Sequence, residues 1–209
     1  MNCSKSDLFW RSMPRQARIV IPGVAMHVTQ RGNFKSNVFM DDEDKSYYIR
    51  IFQFYKKKYR VKLYAWCLMD NHVHFILEPR NLKGLALLFK SLNVKYGHYL
   101  NKKLNRKGRI WEGRFSSCLL DEEHLYEAIR YVELNPIKAK LELQLGEYYW
   151  SSYHEHVGIR QEVFLNKSPV LISKSDWQEY LLAGLCDDLF YKLIKASTKQ
   201  GKPIGKIDV

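Results

Sequence analysis

The apolar positions of this chain change period several times, and each change marks an element. Ala25-Met26-His27-Val28-Thr29-Gln30 reads as a strand containing β-branched residues, stopped by Gly32. Asp41-Asp42-Glu43-Asp44 then favours a helix N-terminus, Tyr48, Ile51, Phe52 and Tyr55 recur at helical spacing, and Lys56-Lys57-Lys58 suits the far end. Val61 to Met69 and His72 to Leu77 read as two strands joined at Asp70-Asn71, a β-hairpin. Leu85, Leu88, Leu92, Tyr96 and Tyr99 predict a helix over 82–100 with one buried face. Phe115 to Leu120 is a fourth strand. Asp121 is placed to cap a helix running to about Leu134, which Pro136 ends while biasing Asn135 away from helical geometry.

The order β-α-β-β-α-β, followed by a further helix, is that of the ferredoxin-like split βαβ unit. It predicts an α+β domain with a four-stranded antiparallel sheet and two helices on one face. The helix after the fourth strand should pack on the sheet through Leu125, Ile129 and Val132. Beyond about residue 160 the pattern changes. Residues 176–184 and 187–196 read as short helices, and 201–209 as a loose end. The expected organisation is an N-terminal extension (1–13), a main domain (14–158) and a small helical C-terminal appendage (159–209).

Composition narrows the class. With 46% hydrophobic residues in 209, the chain can build a core and is not a disordered segment. Lys and Arg number 34 against 22 acidic residues, a net charge of +12, which points to a polyanion such as nucleic acid; the bland alternative is a solvated basic surface. Cys3, Cys67, Cys118 and Cys186 are scattered singly, as in a reduced cytoplasmic protein, with no zinc-finger spacing. No apolar run approaches the roughly 18 residues of a membrane span, and the N-terminus lacks a secretory apolar region. The expected location is the cytoplasm, at the nucleoid.

Three groups of residues carry candidate chemistry. His72 and His74 lie two apart on a predicted strand, so their imidazoles share a face and form either a divalent-metal clamp or a pair of core histidines satisfied by neighbours. His124, Ala128, Tyr131 and Asn135 form one stripe along the helix after the fourth strand. Tyr131 then reads as a functional group or an ordinary boundary tyrosine, and Asn135 as its companion or a helix cap. The third group is the run 101–115. Its Lys102, Lys103, Arg106, Lys107, Arg109 and Arg114 are suited to phosphates, and Trp111 is suited to stacking an unpaired base.

Taken together, Met69-Asp70-Asn71-His72-Val73-His74, Trp111-Glu112-Gly113-Arg114-Phe115 and Arg130-Tyr131-Val132-Glu133-Leu134-Asn135-Pro136 resemble the REP-associated tyrosine transposases, within the IS200-like single-tyrosine HUH transposases. Val28-Thr29-Gln30-Arg31-Gly32-Asn33 and Trp150-Ser151-Ser152-Tyr153 extend the likeness over residues 14–153. The resemblance implies that His72 and His74 hold Mg²⁺ or Mn²⁺, that Tyr131 is the nucleophile, and that Asn135 stands where relatives place a third, polar ligand. It implies a single-stranded DNA endonuclease and strand transferase acting on hairpins of repetitive extragenic palindromes through a 5′-phosphotyrosine link, as a monomer or homodimer. The family often has Pro where this chain has Asp70. Two alternatives stay open on the residues alone: a hairpin-DNA binding protein that does not cleave, and a metal-dependent nuclease using water. Tyr96, Tyr99 and Tyr126 are rival nucleophiles.

Overall fold

The computed structural model describes residues 18–141, 144–160 and 165–207; the expected extension 1–13 lies outside them. Four strands, β1 (Met26–Arg31), β2 (Val61–Met69), β3 (His72–Pro79) and β4 (Ser116–Leu119), form one antiparallel sheet in the order β2-β3-β1-β4. This is the split βαβ topology expected from the element order.

Alternation along the strands splits the core into two layers. On one face Met26, Val28, Val73, Phe75 and Leu77 pack against α1 (Asp42–Lys58) and α2 (Gly84–Lys103). On the other, Ala25, Ile76, Cys118 and Leu120 meet α3 (Glu122–Glu133). A register shift between Leu63 and Ala65 interrupts β2, so Tyr64 and Ala65 join the second layer while Trp66 returns to the first. Bulges of this kind re-aim side chains locally, and nothing in the apolar run of β2 announces it.

Asp121 caps its helix as the sequence predicts, and Asp41, read only as part of an acidic helix start, caps α1 as well. Asp41 accepts from the Asp44 N–H at 3.0 Å and Asp121 from the His124 N–H at 2.9 Å. Pro136 does not stop the chain from coiling. After a break at Leu134, a short helix, α4 (Asn135–Lys138), begins with Pro136 in its first turn, where the missing N–H costs nothing.

After a one-turn helix, α5 (Tyr153–His156), the C-terminal part carries α6 (Trp177–Leu182) and α7 (Asp188–Gln200). It does not stand apart from the sheet. Trp177, Leu181, Phe190, Tyr191 and Ile194 complete the second layer. Nor is the last stretch loose through residue 207. Ile204 bridges Leu120 in parallel, the Ile204 N–H donates to Leu119 O at 2.9 Å, and the Lys206 N–H donates to Asp121. The exposed edge of β4 is thereby covered, which is how sheets avoid stray pairing.

Candidate active site at the second face of the sheet

His72 and His74 project from β3 into the second layer, with ring centroids 4.9 Å apart. Two further rings join them. His27 on β1 stacks on His74 at 5.2 Å, and Tyr131 on α3 meets both His27 and His74 edge-on, at 5.3 and 5.5 Å. The helix and strand motifs separated by more than fifty residues thus converge. Tyr96 and Tyr99 belong to α2 on the opposite layer, where Tyr96 donates to Val38 O and Tyr99 to Asp44. Tyr126 accepts from the Leu171 N–H.

The histidines are held by one nitrogen each. His72 Nδ1 lies 2.5 Å from Asn71 Oδ1, and His74 Nδ1 lies 3.0 Å from His27 Nε2. His27 Nδ1 in turn lies 2.7 Å from Thr198 Oγ1 of α7. Burial lowers all three imidazoles: His27 to about 3, His72 to about 4 with help from the charges of Arg31 and Lys195, and His74 well below the usual range. They are neutral at pH 7, the form a metal ligand requires, and the Nε2 atoms of His72 and His74 are the ones their hydrogen bonds leave over. Ligating histidines commonly anchor the second nitrogen in this way, so the pair fits a divalent cation. Among the described residues no group of three His, Cys, Asp or Glu side chains gathers for a metal. Asp70 does not complete one: its carboxylate pairs with Lys45 of α1 at 2.8 Å.

Tyr131 is only 2% exposed. Burial raises its phenol pKa; a side-chain hydrogen bond from Asn135 and the charge of Arg31 oppose that shift. Asn135 is buried, and its Nδ2 also donates to the Tyr131 carbonyl at 2.7 Å. The ring of Tyr191 on α7 closes the other side of Tyr131 at 4.7 Å.

Sequence reasoning missed three contributors. His27 carries only the signal of an imidazole amid the neighbours of a strand. Arg31 pairs with His72 in the strand register, and Lys195 on α7 is near enough for its charge to act on both His72 and His74. Both cations are exposed.

The basic run is placed unevenly. Lys102, Arg106, Lys107, Arg109 and Arg114 are exposed. Lys103 is tied at 2.7 Å to both Asp41 and Asp44, which raises its pKa. Trp111 is 6% exposed and packs beside Tyr48 and Tyr96, so its ring presents no open face to a base.

Glu133, one residue short of the break at Leu134, is 1% exposed. It accepts from Ser152, from His156 at 2.6 Å and from the Trp177 indole at 2.8 Å. One buried carboxylate thus fastens α3 to the Trp150-Ser151-Ser152-Tyr153 segment and to α6.

Comparison with known proteins identifies the family and the fold. The family model for IS200-like transposases matches residues 21–135, more than half the chain, and the protein belongs to that family. A REP-associated tyrosine transposase solved bound to a REP hairpin shares the fold, with a TM-score of 0.60 and 17% identity over 77% of this chain and 96% of that one. A putative transposase from Deinococcus radiodurans matches less well, with a TM-score of 0.37 and 16% identity over 57% of this chain and 96% of that one. No curated protein sequence matches the chain. Among the described residues, no helix is long and apolar enough to cross a membrane.

Proposed function

We propose that this transposase-family protein cleaves and rejoins single-stranded DNA next to a hairpin, using Tyr131 as nucleophile and His72 and His74, with the Asn135 amide oxygen, to hold Mg²⁺ or Mn²⁺. The observation that carries the reading is the approach of the Tyr131 ring to within 5.5 Å of the His74 ring, centroid to centroid. A divalent cation bound there supplies polarisation of the scissile phosphate. Tyr131 Oη attacks phosphorus, the bond to the 3′ oxygen breaks, and the phenolic proton balances the 3′-OH that leaves. The 5′-phosphotyrosine keeps the phosphodiester energy, so a second 3′-OH can reverse the step without ATP. Arg31 and Lys195 flank the histidines with charge of the sign a phosphate needs, and the exposed cations of 102–114 extend it. A palindromic hairpin as substrate is supported by the likeness to the hairpin-bound transposase.

The cover over Tyr131 favours a second reading, in which the closed protein binds hairpins without cutting them. Incubating a labelled hairpin with a single-stranded flank, with and without Mn²⁺, separates the two. Cleavage predicts a metal-dependent covalent adduct that Tyr131→Phe abolishes. Binding with no adduct under any metal supports the second reading, and cleavage with no adduct points to a water nucleophile.

A further inference from the structure

The expected stacking residue, Trp111, is buried, and an aromatic ring stands exposed elsewhere at the rim of the site. Phe34 is 90% exposed. It sits in the turn after β1, three residues beyond Arg31, the register partner of His72. Exposed apolar side chains are ordinary when scattered; the backbone here is not ordinary. Phe34 and Lys35 both hold positive φ, 53° and 58°, the left-handed region that disfavours every residue except Gly and, to a lesser degree, Asn and Asp. Two successive non-glycine residues in that region persist only where the surroundings fix them, and such outliers concentrate at ligand clamps.

The surroundings do fix them. The Gly32 N–H donates to Asn71 O at 2.8 Å, and Asn71 Nδ2 donates to Lys35 O at 3.1 Å. The Asn33 N–H donates to Ile110 O at 2.8 Å, and the Glu112 N–H to Arg31 O at 2.9 Å. A Cβ on Gly32 would come within 2.2 Å of Ser36 O, so the turn closes only with glycine there. Asn71 thus grips the turn with one end of its amide and His72 Nδ1 with the other. The turn is fastened to the histidine strand on one side and to the basic run on the other, and the Phe34 side chain projects from it into solvent.

We infer that Phe34 is a stacking platform for one unpaired nucleobase of the single strand beside the scissile phosphate. The inference rests on the single-strand reading proposed above. A bare ring face accepts any base, because stacking needs a π surface rather than a hydrogen-bond pattern. Arg31 and Lys35 on either side supply charge for the adjoining phosphates.

The test measures binding of an unstructured oligonucleotide and of a hairpin with a single-stranded flank, by anisotropy at fixed salt, in the presence and absence of Mn²⁺. Phe34 is exposed, so its replacement leaves folding intact. Phe34→Ala is expected to weaken single-strand binding about 5- to 150-fold, the range of one base–aromatic stack, while Phe34→Trp retains binding and its added indole fluorescence is quenched by the strand. Scanning an abasic nucleotide along the flank should reveal one position where wild-type affinity falls similarly and where Phe34→Ala shows no further loss. Affinity of Phe34→Ala within twofold of wild type, or abasic and Phe34→Ala effects that simply add at every position, overturns the stacking role. Wild-type protein that binds no single strand overturns the DNA reading itself.

Discussion

Tyr191 lies over Tyr131 with the two ring centroids 4.7 Å apart at 60°. The nucleophile proposed here is therefore shut between the buried histidines and α7. A phosphate reaches it only if α7 shifts, or if Tyr191 turns aside. Tyr191→Ala should raise the rate of adduct formation, at a stability cost of about 3–5 kcal/mol typical of removing a buried aromatic. Tyr191→Phe should leave the cover in place. Among the described residues the Tyr191 hydroxyl is buried without a hydrogen-bond partner, so losing it should be neutral or stabilising by about 1 kcal/mol, a rise of about 2–4 °C in Tm. Thermal melts and adduct time courses of the two variants check both statements.

The buried imidazoles make metal-free stability depend on pH. Their folded pKa values lie below the usual 6.5, at about 3 for His27 and about 4 for His72. Between these values and 6.5 the unfolded chain binds more protons than the folded one, so stability rises with pH through this window and is fully present above it. Each such histidine contributes a slope of up to about 1.4 kcal/mol per pH unit. Urea unfolding at pH 7, 5.5 and 4.5 in chelator should show stability falling with acid. A flat profile would mean the three rings are solvated.

Glu133 is a fixture of the fold rather than of the chemistry. Removing the acceptor of a buried hydrogen-bonded cluster leaves its donors unsatisfied, at about 1–3 kcal/mol for each. Glu133→Ala should lower stability accordingly in denaturant titrations and loosen α6, read as faster amide exchange near Trp177. Unchanged exchange there would show that the carboxylate does not hold α6.

Arg106 and Arg109 should contact DNA phosphates without reading sequence. Arg106→Ala and Arg109→Ala are each expected to weaken hairpin binding evenly across sequences and reduce the salt slope by about 1. Trp111→Phe should change binding little, because the ring is inside. A selective loss of single-strand affinity in Trp111→Phe would restore the stacking role that its burial argues against.

Much of this was legible from the chain. Strand patterning and helical spacing predicted the four-stranded antiparallel sheet with its helices and the shared face of His72 and His74, because these are local periodic signals. The cap at Asp121 was equally visible, since a cap is a local bond, whereas Asp41 was legible only as part of an acidic helix start. What the sequence concealed were relationships made by distant segments. The His27 contact with Thr198 joins residues 171 apart. The burial of Trp111 depends on how α1 and α2 close around it, and the docking of 165–207 depends on a second sheet face whose vacancy no local pattern records. The helix ends ahead of Pro136 as expected, but Asn135 is helical rather than biased away from helical geometry, because a proline also suits the first turn of the next helix.

In the proposed reaction Tyr131 is the residue joined to DNA. A hairpin with a single-stranded flank, incubated with the protein and Mn²⁺, then digested and sequenced by mass spectrometry, tests it directly. One nucleotide-modified peptide is expected, spanning Arg130-Tyr131-Val132, with the phosphate on the tyrosine. A modified peptide carrying Tyr96, Tyr99 or Tyr126 instead, or strand cleavage with no modified peptide, would contradict it.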